Sequence, residues 1–264
     1  ALEPAALLCE GTRIDSFQDP EGDKRRITEA EVLEAALEVA REAPGLIIAD
    51  FAARNVERLL IFLQVAKETK RRLAISPGDA YLMEAVREVW PDLPDVSQDE
   101  HLVVFADVKS APRPWEKTLR GRYERKGRLV TAFNVRQDPA GYILCFSFFD
   151  IQDIIDIEPP EATYIYSSSE AFNEEKELDL WRLRNWLKHF HIRFVGDPED
   201  PNSDKRLHAS GHASGQDILE LIRTIRPRLL IPIHTEKPEL FLERLEGEGI
   251  KVHLPKLGGA VELG

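Results

Sequence analysis

The chain has 264 residues, 43% of them hydrophobic and 31% charged, the make-up of an ordinary globular protein with room for one large domain or two smaller ones. Its formal charge of −12 argues against non-specific coating of DNA, although it leaves a local basic groove open. No apolar run approaches the roughly 20 residues of a membrane span and nothing resembles a signal peptide, so the expected setting is cytoplasmic.

The chain starts at Ala1 without a methionine and runs straight into an apolar strand, Ala6 to Cys9, as a processed product or an excised piece would. A polar loop, Asp15 to Arg26, leads to Thr28 and Glu31 in TEAE, a capping box that opens a helix to about Glu42. Gly45 to Asp50 reads as a buried strand, and Asn55 to Lys70 places Val56, Leu59, Leu60, Leu63 and Ala66 at helical spacing. The beat continues with strand Arg72–Ser76, helix Asp79–Trp90, strand His101–Ala106 and helix Trp115–Lys126. Strands Gly141–Phe149 and Thr163–Tyr166 and a long helix, Asn173–Phe190, follow. The last third repeats strand and helix twice, then adds short strands at Lys251–Leu254 and Ala260–Leu263. Strands joined by helices argue for parallel sheets covered on both faces, so the expected class is α/β. Cys9 and Cys145 both fall in strand-like runs and read as buried small hydrophobes in a reducing compartment. Linkers are expected at Gly196–Asp204 and Ser16–Asp23, with a complete α/β unit between them, which suggests one domain inserted into another.

Three of the seven histidines surround one helix–strand unit. His234 ends the apolar strand RLLIPIH, and ligands of open α/β sheets collect beyond the carboxyl ends of strands. Alone, such a histidine more often satisfies a nearby carbonyl than binds a metal. HASGHAS shifts that balance: small residues between His208 and His212 permit close approach, and Ser214 precedes a helix, Gln216 to Ile225, whose free N–H groups favour an anion. The simpler account of Ser214 is an N-cap. Glu10 ends the first strand before Gly11 and could orient an imidazole, a weak signal by itself. Tyr166-Ser-Ser-Ser-Glu170 is either a phosphate contact or a plain turn. Lys109 to Arg128 carries eight positive charges against two negative, with Trp115 and Tyr123 interleaved to stack on bases.

Together these residues resemble the β-CASP family of the metallo-β-lactamase superfamily, nucleases of the kind that process mRNA 3′ ends. The resemblance implies a Rossmann-like β-CASP domain inserted into the C-terminal part of a metallo-β-lactamase fold: residues 1–22 ending the first half, 23–191 forming the insert and 192–264 returning to the first fold. Glu10 in LLCEGT resembles motif A, His212 in SGHAS motif B, and His234 in IPIHTE, 22 residues after His212, motif C. It further implies that His234 holds one of two zinc ions, that His212, oriented by Glu10, acts near the leaving group, and that His208, Ser210 and Ser168 hold RNA phosphate, with Ser214 in the same loop. The family's main metal site rests on an upstream H-x-H-x-D-H motif, whereas no histidine here precedes His101. The expectation is therefore a zinc-dependent RNA-processing nuclease whose missing N-terminal half or partner chain completes the ligand set, with this chain alone inactive or nearly so. Single-stranded RNA is the expected partner, a homodimer is left open, and no membrane is involved. The alternative is a non-catalytic RNA-binding or regulatory module. A nucleotide-binding doubly wound enzyme ranks low, since neither G-x-G-x-x-G nor G-x-x-x-x-G-K-[ST] occurs.

Overall fold

Strand and helix alternate through the computed structural model, which describes residues 4–18, 27–106, 112–168 and 174–261. Lys109, Ser169, Glu170, residues 262–263 of the last expected strand and 19–23 of an expected linker lie outside the described residues. The chain divides into two compact units, Ala1–Arg26 with Ser210–Gly264, and Ile27–Ala209.

The unit of residues 27–209 holds seven parallel strands: β2 (Leu46–Asp50), β3 (Arg72–Ile75), β4 (Leu102–Phe105), β5 (Leu129–Val130), β6 (Tyr142–Cys145), β7 (Ala162–Tyr166) and β8 (Arg193–Val195). Their order across the sheet is β5-β4-β3-β6-β2-β7-β8. β2, β4 and β6 are buried along their whole length, as strands covered on both faces must be. Alternate residues of β2 face different cores: Ile47 and Ala49 meet α1 (Glu29–Glu42), α2 (Val56–Glu68), α3 (Pro77–Arg87) and α4 (Pro114–Arg125). Leu46 and Ile48 meet α5 (Ala132–Gln137), α6 (Ile154–Ile157) and α7 (Glu174–His189). The α/β class expected from the alternation holds.

Local chemistry sets the helix starts. Thr28 and Glu31 cap α1 reciprocally, Asn55 accepts from the Arg58 N–H at the start of α2, and Ser76 with Asp79 caps α3. Pro77 takes the first helical position, so α3 starts two residues earlier than its spacing suggested. The strand expected to reach Phe149 ends at Cys145, because Ser147 and Asp150 turn the chain into a 3-10 segment over Phe148–Asp153. β5 and α5 were not expected, being only two and six residues long. β8 lies beyond the expected 191/192 boundary yet pairs with β7.

The other unit has a three-stranded parallel sheet, β1 (Ala6–Glu10), β9 (Leu229–Ile233) and β10 (Lys251–Val252), in the order β1-β9-β10. α8 (Gly215–Ile225) buries Ile218, Leu219 and Ile222 against Cys9, Leu230 and Phe241, the last from α9 (Glu239–Arg244). Residues 260 and 261 are not strand. Among the described residues no helix is long and apolar enough to cross a membrane.

Candidate functional site

Parallel pairing in register places Glu10 opposite Ile233, so the ends of β1 and β9 share one carboxyl edge. The ladder extends one step past the strands, Gly11 N–H donating to the Ile233 carbonyl at 3.1 Å. Gly11 is required there: a Cβ would lie 2.6 Å from the Phe241 ring and 3.0 Å from Thr235 Cβ. The next residue, His234, has φ +49°, a left-handed backbone that is uncommon away from glycine and tends to persist at functional sites. His212 reaches the same edge from the loop that precedes α8. Glu10, His212 and His234 each offer a donor atom, all within 4.8 Å of one another. His212 Nδ1 stands 3.4 Å from Glu10 Oε2, and the two imidazole centroids are 5.7 Å apart.

Thr12, which the sequence reading passed over, ties the arrangement together. Its backbone N–H donates to Glu10 Oε2 at 2.9 Å, and its hydroxyl lies 3.1 Å from His234 Nδ1 and donates to the His234 carbonyl at 3.3 Å. Partial burial pushes the Glu10 carboxyl up, but the Thr12 hydrogen bonds and the neighbouring His212 outweigh it and hold the group below its ordinary value. A hydroxyl residue after a tight turn at a strand end was the available signal. Beside His234 opens a cleft of about 520 Å³ lined by Gly11, Thr12, Asp15, Thr235 and Lys237. Lys237 pairs with Asp15 at 2.8 Å.

The other expected site residues fare differently. Ser210 accepts the His212 N–H through its hydroxyl oxygen at 3.2 Å, shaping the loop. Ser214 is the N-cap of α8, accepting from Asp217 N–H and donating to the Asp217 carboxylate at 2.7 Å. Gly215 N–H is taken by Ser16 Oγ. Asp217 supplies an anion and side chains take these amides, so the Ser214 hydroxyl is used here as an N-cap. His208 is buried in the unit of residues 27–209, with Nδ1 3.0 Å from the Ser168 carbonyl and Nε2 2.8 Å from the Gly196 carbonyl. Neither ring nitrogen is left for phosphate. Ser168 itself is half-buried. Beside it, the fully buried Arg58 donates to the Ser167 carbonyl and hydroxyl and to the Leu207 carbonyl, and forks onto the Glu29 carboxylate. Tyr123, expected to stack on bases, is buried and donates to Glu84, its phenol pushed well up by burial and that carboxylate.

Residues 205–255, which span His212 and His234, match the family described as the Zn-dependent metallo-hydrolase RNA specificity domain. The chain is 23% identical to ribonuclease J of Pyrococcus abyssi (strain GE5 / Orsay), over 97% of its own length and 53% of that protein's. It also resembles the crystal structure of a protein of unknown function from Enterococcus faecalis V583, with TM-score 0.57 and 21% identity over 96% of this chain and 50% of that one, a likeness of fold. The chain spans about half the length of the relatives it matches. The matches support membership of the β-CASP/metallo-β-lactamase superfamily, as the three motifs imply.

Proposed function

We propose that this chain is the RNA-gripping part, with the last three active-site motifs, of a zinc-dependent nuclease that hydrolyses RNA phosphodiester bonds. The observation that carries the reading is the meeting of Glu10, His212 and His234 within 4.8 Å, from segments more than 200 residues apart in the chain for the first two. Two imidazoles and a carboxylate are the donor types that zinc selects, and a catalytic site needs about three protein ligands with one position left open. Of the three, His234 fits as a zinc ligand, while the Glu10 carboxylate is engaged with His212. His234 would hold one of two ions, its Nδ1 fixed by Thr12 as a hydroxyl or carboxylate fixes other metal-bound imidazoles.

Zinc supplies a Lewis acid for the phosphoryl oxygen and lowers the pKa of water. The chain's own groups do the rest. Glu10 engages Nδ1 of His212 and stabilises the ring in one orientation, and Nε2 carries the proton that departs with the leaving oxygen. Ser210 accepts from His212 N–H and keeps its hydroxyl proton for a phosphate oxygen. Ser168 serves a phosphate in the other unit. One histidine ligand does not hold two ions, so this chain by itself turns over little RNA. Buried free thiols at Cys9 and Cys145 suit the cytoplasm.

The test is hydrolysis of a labelled single-stranded RNA by the whole gene product, with bound zinc measured alongside. His212→Ala should lower turnover by about 10²–10⁴-fold with zinc content retained, while His234→Ala should lose zinc. Wild-type turnover by His212→Ala removes that residue from the reaction. A whole gene product that binds RNA and zinc but never cleaves favours the non-catalytic module.

A further inference from the structure

The basic run noted in the sequence forms α4 and its C-terminal turn, and its cations divide into two groups. Arg122 is neutralised by Glu84 at 2.5 Å, and Arg128 donates to the Gln98 carbonyl. Arg113, Lys117, Arg125 and Lys126 are exposed and enter no ion pair among the described residues. The exposed acid on the same stretch is Glu124, since Glu116 is buried and accepts the Arg113 N–H. From residue 113 to 125 the helix rises roughly 18 Å at about 1.5 Å per residue, and at about 100° per residue Arg113, Lys117 and Arg125 fall within about 120° of one another on its exposed side, with Trp115 on the flank toward α3.

Two exposed aromatic rings adjoin those cations. Trp115 on α4 and Tyr81 on α3 pack at a centroid distance of 5.3 Å, yet Trp115 keeps 37% and Tyr81 57% of its surface open to solvent. Single exposed rings are ordinary on a surface, but these two pack on each other into one contiguous apolar patch. Arg113 and Trp115 also wall a cleft of about 520 Å³, with Phe51, Phe105 and Phe146, at the carboxyl ends of β2, β3, β4 and β6. That position is where doubly wound sheets take ligands. Asp79 and Asp150 face the same cleft, each held by its capping serine, so a phosphate is repelled from the interior while an uncharged ring is accepted.

We propose that the α3/α4 face docks single-stranded nucleic acid, its sugar–phosphate backbone along Arg113, Lys117 and Arg125 and one unpaired base against Trp115 at the cleft. Cations in a line attract any polyanion; the aromatic wall selects an unpaired base, because a duplex keeps its rings stacked inside and an acidic peptide has none to offer. The surface is built wholly from residues of the 27–209 unit, and the proposal rests on the nuclease reading only for the choice of RNA as first probe.

The test is fluorescence anisotropy with a labelled oligouridylate of about 12 nucleotides, within the ~4–16 that one such groove covers, in chelator and over a range of salt. Trp115→Ala should weaken binding about tenfold with the salt slope unchanged, and Trp115→Phe should restore most of it. The exposed pair Lys117→Ala/Arg125→Ala, which leaves the core untouched, should flatten the slope of log affinity against log salt by about 1.4, at ~0.7 per lost cation. His212→Ala should bind as the wild type does, so a failed nuclease reading leaves this result standing. Oligothymidylate should compete and an RNA duplex or polyglutamate should not. Unchanged binding by both surface variants, or equal competition by duplex or polyglutamate, overturns the proposal.

Discussion

The two units handle their polar groups in opposite ways. In residues 27–209 the buried polar side chains are matched from within: Arg58 serves Glu29, Ser167 and Leu207, His208 sits between two carbonyl oxygens, and Asp50 accepts from Tyr164 at 2.6 Å. In the unit built from the chain ends, Glu10, His212 and His234 stand at a sheet edge, half-open to water, with Thr12 holding two of them. Satisfied, desolvated networks rigidify a fold, whereas donors gathered at an edge are arranged for something to arrive. The difference is between a scaffold and a candidate site.

The strongest way to test the scaffold half is Arg58→Met. It leaves the buried Ser167 and Leu207 carbonyls without their donor while the half-exposed Glu29 carboxylate turns to water, and each buried acceptor left unsatisfied costs about 1–3 kcal/mol. Urea unfolding should show a loss of that size in the transition of residues 27–209. A loss under about 1 kcal/mol would mean that the network is idle and the comparison is wrong.

Asp50 gives the same unit a pH signature. Burial raises its carboxyl from 3.8 to about 7, against the opposing hydrogen bond from Tyr164. A raised carboxyl binds its proton more tightly folded than unfolded. The contribution is therefore full below about pH 4, falls as pH rises toward 7 while only the unfolded chain has ionised, and is gone above that. A shift of roughly three units corresponds to about 4 kcal/mol over this window. Asp50→Asn keeps an acceptor for Tyr164 and should flatten that decline, so a pH series of unfolding midpoints identical to the wild type would rule the group out as its source.

The site half is probed by Thr12→Val, which keeps the shape and deletes the hydroxyl beside His234 Nδ1. Loss of a partner that orients a metal ligand typically weakens metal binding about 10–100-fold. Competition against a zinc dye reads this directly, and an unchanged affinity would show that Thr12 holds only the loop.

Much of this contrast was legible beforehand, and what was not has a physical pattern. Thr28 with Glu31 marked the start of α1 because a capping box lies within four residues, and the apolar runs of β2 and β4 marked buried strands for the same local reason. Glu10, His212 and His234 were found together through motif resemblance, not periodicity. The buried setting of His208 was hidden because its partners, Gly196 and Ser168, lie 12 and 40 residues away and nothing local marks them. Tyr123 was misread because a helix face in a basic run looks solvated until Glu84 of α3 is placed beside it. β5 is too short to carry a period, and it exists because β4 offers it an edge.

Ser214→Ala carries the smallest expected effect and separates two uses of one hydroxyl. Ser214 Oγ accepts from Asp217 N–H and donates to its carboxylate, with φ −67° and ψ 157°, the extended backbone of an N-cap. Removing a capping hydroxyl costs about 1 kcal/mol, so unfolding of the β1-β9-β10 unit should shift by that amount. If the hydroxyl serves only α8, RNA affinity and its salt dependence stay as they were. Were Ser214 also a phosphate ligand, the variant would lose RNA affinity on top of the same shift in unfolding, because the capping hydrogen bond is lost in either case.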